Sequence, residues 1–395
     1  MATSLDSIAA ASLRLDPSPE APVSFEAFDL PTGNQRLLGP PHAAGTVTPL
    51  ALRATTASGG REISLDAAIE SVKHLQAQGG LLTQRLSQHG TLLFRGLPIH
   101  DALDFSRFAH AFGYRPHEII GIVVNRPELA PNVALANEAP KEVLIYSHNE
   151  SPQVPHAPEY IFFYGHQVPS RGGESPVSSS LELFRRAREE VPELVDALAA
   201  KGVRSRVVYK PHPQYAGGST LLQAFGKDVV EGVDDEAERR RKMEAQIARY
   251  GRGKHTAWEW TDDDGALVVT HHLPAIRTQP GTGLPTLFTG LAAYHRSAQV
   301  NGGSRANATK ITYGDGTPIP DEYLEKLAQI TDEIRVLHKW ERGDVLVYDN
   351  VIAQHGRQPW EGAQEDRVIL ASLFDGEIPG AYGDQDWAQV VQALP

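Results

Sequence analysis

The chain has 395 residues, of which 41% are hydrophobic and 22% charged, a balance typical of a folded globular protein and not of a disordered one. Lys and Arg total 37 against 49 Asp and Glu, and the net charge of -12 disfavours binding to nucleic acid or anionic membranes. The lack of cysteine excludes disulfides, thiolate metal sites, cysteine nucleophiles and iron–sulfur clusters. Any metal ion must therefore use His, Asp or Glu.

The first 60 residues are rich in Ala, Pro, Ser and Thr, and the segments PSPEAP, GPPHAAG and TTASGG predict an extended lead-in with little regular structure. The N-terminus lacks the basic start and apolar core of a secretory signal, and no apolar run reaches the roughly 20 residues that span a bilayer. We therefore expect a cytoplasmic protein without a membrane partner. Residues 61–395 show no second change in composition and predict a single domain with helical insertions.

Helices and strands alternate irregularly after the lead-in. SLDAAIESVKHLQAQGG (64–80) predicts a helix with a Ser N-cap, TLLFRG (91–96) a buried strand, and DALDFSRFAHAFG (101–113) a second helix. KEVLIYSHNE (141–150) and YIFFYGHQ (160–167) predict strands, because β-branched and aromatic residues dominate both segments.

The second half of the chain continues in the same way. It predicts helices over 180–202, 236–251 and 321–340, a hairpin over 255–273 that turns at Asp264-Gly265, and strands over 343–350 and 367–374. Strands that bracket helical insertions disfavour a regular alternation of strand and helix. The pattern indicates a mainly β fold with α insertions, built on an antiparallel barrel or sandwich whose mouth forms the pocket.

Three side chains are candidates for a metal site. His148 and Glu150 are two residues apart at the end of a predicted strand, and the strand period of two places both on one face. His355 follows the predicted strand 343–350 in an unusually polar segment. Two His and one carboxylate on a β scaffold suit the Fe(II) of non-haem oxygenases, and they suit Zn(II) with a bound water equally well. Spacing alone leaves the metal open.

Several blocks of the sequence occur together in one known family. They are GTLLFRGLPIHDALDFSRF, SHNESPQVPHAPEYIFFYGHQVPSRGGESPV, TYGDGTPIP and WERGDVLVYDNVIAQHGRQPWEG. Over residues 85–375 the chain resembles the TauD/TfdA superfamily of Fe(II)/2-oxoglutarate dioxygenases, in the branch of clavaminate-synthase-like and amino-acid hydroxylases of specialised metabolism. The resemblance implies a double-stranded β-helix core of the jelly-roll or cupin type. It also implies that His148, Glu150 and His355 are the catalytic Fe(II) ligands, with 2-oxoglutarate and O2 as co-substrates.

The resemblance also identifies residues for 2-oxoglutarate, whose distal carboxylate needs a cation such as the forked guanidinium of Arg. The family places this Arg about a dozen residues after the distal His, and Arg367 follows His355 by 12 residues. A Thr after a Gly pair donates a hydroxyl to the same carboxylate in the family. Ser175, in the segment RGGES, occupies that position and retains the hydroxyl donor.

Departures from the family pattern bear on the substrate. Halogenases of similar fold lack the metal-binding carboxylate, so Glu150 argues against halogenation. Ala371 stands where taurine dioxygenase has a sulfonate-binding Arg, which disfavours taurine and favours an amino acid or related small metabolite. Weaker candidates for substrate contact, chosen by their place in the matching blocks, are Arg357, Asn137, Tyr146 and Phe288.

Two alternatives to the oxygenase remain open from the residues. The same three ligands with an activated water would suit a Zn(II) hydrolase, and a barrel that binds a small carboxylate without turnover would act as a sensor. The sequence allows a homo-oligomer without indicating a subunit number. Five further histidines have no partner at ligand spacing and are interpreted as structural or solvated: His156, His166, His271, His272 and His338.

Overall fold

The structure is a computed structural model. It describes residues 14–15, 23–31, 33–56, 62–121, 127–136, 139–214, 219–261, 265–300, 309–383 and 387–394. Its α-helices in these ranges are α1 (Leu65–Ala77), α2 (Leu81–His89), α3 (Ala102–His110), α4 (Ser180–Glu190), α5 (Pro192–Lys201), α6 (Leu221–Phe225), α7 (Glu236–Tyr250), α8 (Leu291–Val300) and α9 (Asp321–Ile334). Short 3-10 helices cover Gly253–His255, Gln364–Asp366 and Trp387–Gln389.

The strands lie both before and between the helices. In chain order they are β1 (Arg14–Leu15), β2 (Ser24–Ala27), β3 (Arg36–Leu37), β4 (Val47–Thr48), β5 (Leu50–Thr55), β6 (Thr91–Arg95), β7 (Arg115–Pro116), β8 (Glu128–Ala130), β9 (Val133–Leu135), β10 (Ile145–His148), β11 (Tyr160–Gln167), β12 (Ser175–Ser179), β13 (Val203–Tyr209), β14 (Thr256–Trp260), β15 (Leu267–Leu273), β16 (Ile276–Thr278), β17 (Pro285–Leu287), β18 (Thr309–Tyr313), β19 (Val336–His338), β20 (Val345–Asp349), β21 (Ala353–Arg357), β22 (Val368–Asp375) and β23 (Gly380–Ala381).

Two sheets form the double-stranded β-helix core that the sequence predicted. The larger sheet has the order β1-β2-β5-β6-β20-β11-β22-β9-β8, with β7 added beside β22, and the smaller has the order β10-β21-β12-β19. Alternate residues of the large sheet, such as Ile161, Phe163 and Tyr348, are buried in one cluster with Val177 and Ala353 of the small sheet. The two sheets therefore bury a shared apolar interior, and the candidate ligands lie on the strands and loops of this core.

Helices cover the outer faces of both sheets. Helices α1, α2 and α3 bury residues such as Val72, Leu86 and Phe108 against the other face of the large sheet. Helices α4, α5, α8 and α9 form a second cluster on the side of the small sheet. A four-stranded sheet in the order β14-β15-β13-β18 packs with α6 and α7. Among the helices that the structure describes, none has the length and apolar character needed to cross a membrane.

The lead-in contains more regular structure than the sequence predicted. Strand β5 pairs in parallel with β6 and in antiparallel with β2, so residues on both sides of position 60 belong to the same sheet. The segment LALRAT allows this, because Leu50 and Leu52 are buried on one face of the sheet and Ala51 on the other. A composition rich in Pro and Ala concealed a short strand that is apolar on both faces.

Two predicted helices end earlier than expected. The helix predicted over 180–202 is two helices, because Pro192 has no N–H to continue the first and instead begins the second. The helix predicted over 321–340 ends at Ile334, and Val336–His338 pair with β12 as the edge strand β19. The predicted hairpin is present as the antiparallel pair β14 and β15, although Asp264 of its turn lies outside the described residues.

Candidate metal centre and co-substrate pocket

Pairing between β10 and β21 brings the two candidate histidines together. His148 and His355 are directly opposite each other across these antiparallel strands, and their ring centroids are 4.6 Å apart. Glu150 follows β10 by two residues, as the period of two requires for a side chain on the same face. The polar segment after the strand predicted over 343–350 is thus itself a strand, and His355 lies within it.

The three side chains could hold one metal ion. The Glu150 Oε2 atom is 3.2 Å from His355 Nε2 and 3.9 Å from His148 Nε2. Metal–ligand bonds of about 2.1 Å at right angles place neighbouring ligand atoms roughly 3 Å apart, so small side-chain adjustments would suffice. His355 and Glu150 are buried, and a buried carboxylate needs a positive partner. The arrangement fits a 2-His-1-carboxylate centre with several coordination positions left for other ligands.

Hydrogen bonds orient two of these ligands. The Nδ1 atom of His148 lies 2.7 Å from the carbonyl oxygen of Tyr146, so a ring that donates Nδ1–H to this oxygen keeps the Nε2 lone pair toward Glu150. Asn350 accepts a hydrogen bond from the Glu150 backbone N–H at 2.6 Å and donates to the carbonyl oxygens of Glu150 and Pro158. Asn350 thus fixes the backbone of the candidate carboxylate ligand.

Asn149 has a similar positioning role beneath the centre. It is fully buried, and its amide donates to the backbone carbonyl oxygen of Asn350 at 2.7 Å and accepts from the backbone N–H of Thr289 at 3.0 Å. The Asn149 side chain therefore has a structural role, because it holds the surrounding backbone through hydrogen bonds. The sequence suggested polar crowding around residues 349–357, but it could not indicate that Asn149 and Asn350 brace the backbone on both sides of Glu150.

A pocket joins the three candidate ligands to the predicted co-substrate residues. It has an empty volume of about 470 Å³ and is partly open to solvent. Its lining residues are Ala136, Ile145, His148, Glu150, Phe163, Ser175, His355, Gly356, Arg357, Arg367 and Ile369. The structure therefore brings all five strongest candidates from the sequence into one space. Phe163, Ile145 and Ile369 add apolar walls that the sequence analysis did not identify as part of the site.

Arg367 presents a cation to this pocket. Its Nε–H donates to the carbonyl oxygen of Gly173 at 2.9 Å, and no carboxylate forms an ion pair with it in the described part of the chain. Burial, with the nearby charge of Arg357, lowers the pKa of Arg367 to about 9, so the guanidinium stays protonated at neutral pH. A partly buried guanidinium without an ion-pair partner among the described residues is a fitting site for the distal carboxylate of 2-oxoglutarate.

Gly173 and Ser175 shape the same end of the pocket. A Cβ atom on Gly173 would lie 2.9 Å from Arg367 Cδ and 2.8 Å from Pro169 Cγ, and the φ of +72° is one that glycine favours. Ser175 is buried at the start of β12, where its Oγ accepts a hydrogen bond from Trp340 Nε1 at 3.0 Å. The hydroxyl proton of Ser175 can therefore be donated to another acceptor.

The weaker substrate candidates do not form one group. The guanidinium of Arg357 donates to the backbone carbonyl oxygens of Ala139, Pro140 and Val143, so this buried residue holds a loop although it also borders the pocket. The Tyr146 hydroxyl donates to Ala328 O and to Asp332, away from the pocket. These contacts place the Tyr146 side chain in the scaffold against α9, whereas Ile145 beside it lines the pocket; the register of β10 is irregular between Ile145 and His148.

Of the two remaining candidates, the structure describes Phe288 only. Phe288 is buried, with the guanidinium of Arg277 4.0 Å above its ring, and it does not line the described cavity. Asn137 lies outside the described residues. Of the four substrate residues suggested by the matching blocks, Arg357 alone borders the pocket within the described part of the chain.

Most of the other histidines have the structural environments that the sequence predicted. His271 is fully buried and lies 2.8 Å from the Tyr250 hydroxyl, and His338 Nε2 lies 3.4 Å from a carboxylate oxygen of Asp344. His272 Nε2 is 2.6 Å from the carbonyl oxygen of Lys201. His156 differs from the prediction, because the fold brings it close to other potential metal ligands.

Comparisons with known proteins identify the family of the chain. The family model described as taurine catabolism dioxygenase TauD, TfdA family matches residues 51–372. A clavaminate synthase-like protein of Arabidopsis thaliana is 29% identical over 304 residues, which cover 76% of this chain and 86% of that protein. The dapdiamide synthesis protein DdaC of Enterobacter agglomerans is 26% identical over 307 residues, covering 75% and 85% of the two chains.

Solved structures also resemble the chain. A putative alpha-ketoglutarate-dependent taurine dioxygenase from Burkholderia xenovorans has 15% identity and a TM-score of 0.46, and the match covers 90% of this chain and 94% of that one. The family match covers most of the chain and includes all three candidate ligands. The chain therefore belongs to the TauD/TfdA family of Fe(II)- and 2-oxoglutarate-dependent dioxygenases.

Proposed function

We propose that the protein oxidises an aliphatic C–H bond of an amino acid or related small metabolite, by hydroxylation or by the related desaturation or cyclisation, in specialised metabolism. In this proposal His148, Glu150 and His355 bind Fe(II), and Arg367 and Ser175 bind the distal carboxylate of 2-oxoglutarate. The observation that carries it is the partly buried Arg367, which forms no ion pair with a carboxylate among the described residues and shares a pocket with the three ligands.

The site residues divide the work of such a reaction. Bound Fe(II), with 2-oxoglutarate and O2, supplies the oxidising power that no protein side chain has. His148, Glu150 and His355 would hold the metal ion and leave coordination positions for both co-substrates. Arg367 and Ser175 would bind the distal carboxylate of 2-oxoglutarate in the same pocket. The apolar side chains Ile145, Phe163 and Ile369 limit the access of water.

Three features support the substrate class. Glu150 supplies the carboxylate that halogenases of this fold lack, which favours oxygenation over halogenation. Ala371 is buried and pairs with Phe163, so the strand offers no cation for a sulfonate at that position. The relative DdaC is named a dapdiamide synthesis protein, and the similarity supports a biosynthetic role for this chain too.

The central experiment measures co-substrate turnover. Iron-loaded protein given 2-oxoglutarate, O2 and a panel of free amino acids should form succinate, with the largest increase for the true substrate class. The expected product is the substrate plus one oxygen atom, or minus two hydrogens for a desaturation or cyclisation. If no amino acid or related metabolite increased succinate formation above the uncoupled rate, this substrate class would be wrong.

Substitutions at Ser175 provide a matched pair. Ser175→Thr retains the hydroxyl donor and should keep the KM for 2-oxoglutarate near that of the wild type. Ser175→Ala loses a hydrogen bond to a charged group, about 1.5 kcal/mol or more, and should raise this KM roughly tenfold. Equal KM values for the two variants would remove Ser175 from the proposed site.

The alternatives can be tested with the same protein. A Zn(II) hydrolase would turn over without O2 and without 2-oxoglutarate, and it would give Arg367 no role. A sensor would bind 2-oxoglutarate and consume no oxygen with any metabolite. Oxygen uptake that depends on both iron and 2-oxoglutarate would exclude both alternatives.

A further inference from the structure

A second group of potential metal ligands lies outside the pocket described above. His117 follows β7, His156 lies in the connection formed by residues 151–158, and Asp375 is the last residue of β22. None of the three lines the cavity that contains His148. The fold brings them together although His117 and Asp375 are 258 positions apart in the sequence.

The ligand atoms of this group converge on one carboxylate oxygen. Asp375 Oδ1 is 2.6 Å from His117 Nδ1 and 4.0 Å from His156 Nε2. The imidazole rings stack with their centroids 4.3 Å apart. A tetrahedral Zn(II) site with bonds of about 2.0–2.1 Å places neighbouring ligand atoms roughly 3.3 Å apart, and the two observed distances lie on either side of this value. Shifts of less than about 1 Å would form the site.

The environment of the group is that of a closed site. His117, His156 and Asp375 are each 7% exposed. The Nε2 atom of His156 is buried and has no hydrogen-bond partner in the part of the chain that the structure describes. A buried ring nitrogen without a partner, directed at a carboxylate, is explained by a ligand between them.

The charges around the group leave a place for a cation. The other oxygen of Asp375 is 2.9 Å from Arg115, whose side chain is 60% exposed and does not contact Oδ1 in an ion pair. Glu159 is a second buried carboxyl group near Asp375, and a divalent cation on Oδ1 would offset the proximity of the two groups.

Two other arginines near the group have different partners. The guanidinium of Arg252 donates to the backbone carbonyl oxygens of Tyr250, Val390 and Gln392. Arg277 stacks over the ring of Phe288. Both side chains are thus held by contacts of their own, and neither forms an ion pair with Asp375 among the described residues.

We propose that His117, His156 and Asp375 bind a Zn(II) ion that fastens the 151–158 connection to the end of β22. Two imidazoles, one carboxylate and a water molecule complete the tetrahedron that Zn(II) prefers. The role is structural, because the three side chains are buried and none of them lines the pocket that contains His148 and Arg367. The 151–158 connection begins directly after Glu150, so this ion would stabilise the segment that leaves the iron centre.

The decisive experiment separates the two metal sites by substitution. The full-length double variant His148→Ala/His355→Ala, stripped with a chelator and titrated with Zn(II) alone, should bind one zinc per chain. Adding His156→Gln or Asp375→Asn to this background should abolish that binding. Adding His74→Gln, which removes an exposed helical histidine, should leave it unchanged. X-ray absorption of the zinc-loaded double variant should show two imidazole ligands.

Several outcomes would overturn the proposal. The proposal is wrong if the double variant binds no zinc, or if it binds zinc equally well after His156→Gln is added. Circular dichroism of every variant shows whether a loss of zinc reflects unfolding. If both substitutions unfold the chain, the absorption spectrum of the double variant decides, and a spectrum without imidazole ligands refutes the site. Iron-dependent succinate formation by the wild type is measured separately. Absence of the zinc site therefore leaves the proposed oxygenase function intact, and absence of oxygenase activity leaves the zinc site intact.

Discussion

Replacement of Arg367 tests the co-substrate site most directly. Its Nε–H donates to the carbonyl oxygen of Gly173. Its two Nη groups have no partner among the described residues, so they are available for a carboxylate. A hydrogen bond to a charged group contributes roughly 1.5–3 kcal/mol, and Arg367→Ala loses two of them. We expect 2-oxoglutarate to bind at least about 100-fold more weakly to this variant. Arg367→Lys keeps the charge but loses the fork, and its expected loss is roughly 10- to 150-fold.

Calorimetry with the iron-loaded protein under anaerobic conditions measures this loss without knowledge of the substrate. Titration with 2-oxobutanoate, which lacks the distal carboxylate, should give the same Kd for the wild type and Arg367→Ala. The control Arg171→Ala removes an exposed arginine near the same glycine pair, and it should bind 2-oxoglutarate like the wild type. Unchanged affinity of Arg367→Ala for 2-oxoglutarate would refute the assignment.

Three further predictions concern the scaffold of the site. Asn350→Ala removes two hydrogen bonds to the Glu150 backbone and one to the carbonyl oxygen of Pro158. The affinity for iron, measured by competition with a chelator, should therefore fall roughly 10- to 100-fold. Unchanged affinity would show that Asn350 does not position the ligand. Gly173→Ala forces a Cβ atom against Arg367, so it should lower the free energy of unfolding by about 1–3 kcal/mol. It should also weaken 2-oxoglutarate binding. A variant as stable as the wild type would contradict the clash. Burial raises the pKa of Asp349 from 3.8 to about 7, so its contribution to stability is present below pH 3.8 and is lost as the pH rises through 7. In urea unfolding, the free energy of unfolding of Asp349→Asn should depend less on pH in this window than that of the wild type. An identical pH profile would rule out Asp349 as a source of this dependence.

The sequence predicted the features that depend on local pattern. Period-two spacing put His148 and Glu150 on one face, and the 12-residue interval to Arg367 matched the family. The structure then placed these residues and His355 around one pocket. The jelly-roll core was also predictable, because the matching blocks follow the strands on which it is built.

Features that depend on contacts between distant segments could not be predicted. The Tyr146 side chain was assigned to the pocket, but only the packing of α9 against the small sheet decides that it faces Ala328 instead. His156 had no partner in sequence, because His117 and Asp375 approach it only after β22 has paired with β7 and β11. The strand β5 was hidden in the lead-in, since its only signal was a short apolar segment among prolines.

If His148, Glu150 and His355 bind iron as proposed, iron binding depends on the folding of the whole core, because His148 and His355 pair across two strands. Glu150 and His355 are 205 positions apart, so an unfolded chain has no local group of ligands. The chain must lose the entropy of closing this long loop before the ligands come together. Because iron then binds the native state far better than the unfolded one, it shifts the folding equilibrium by mass action. Chelation should therefore lower the melting temperature of the protein as well as its activity.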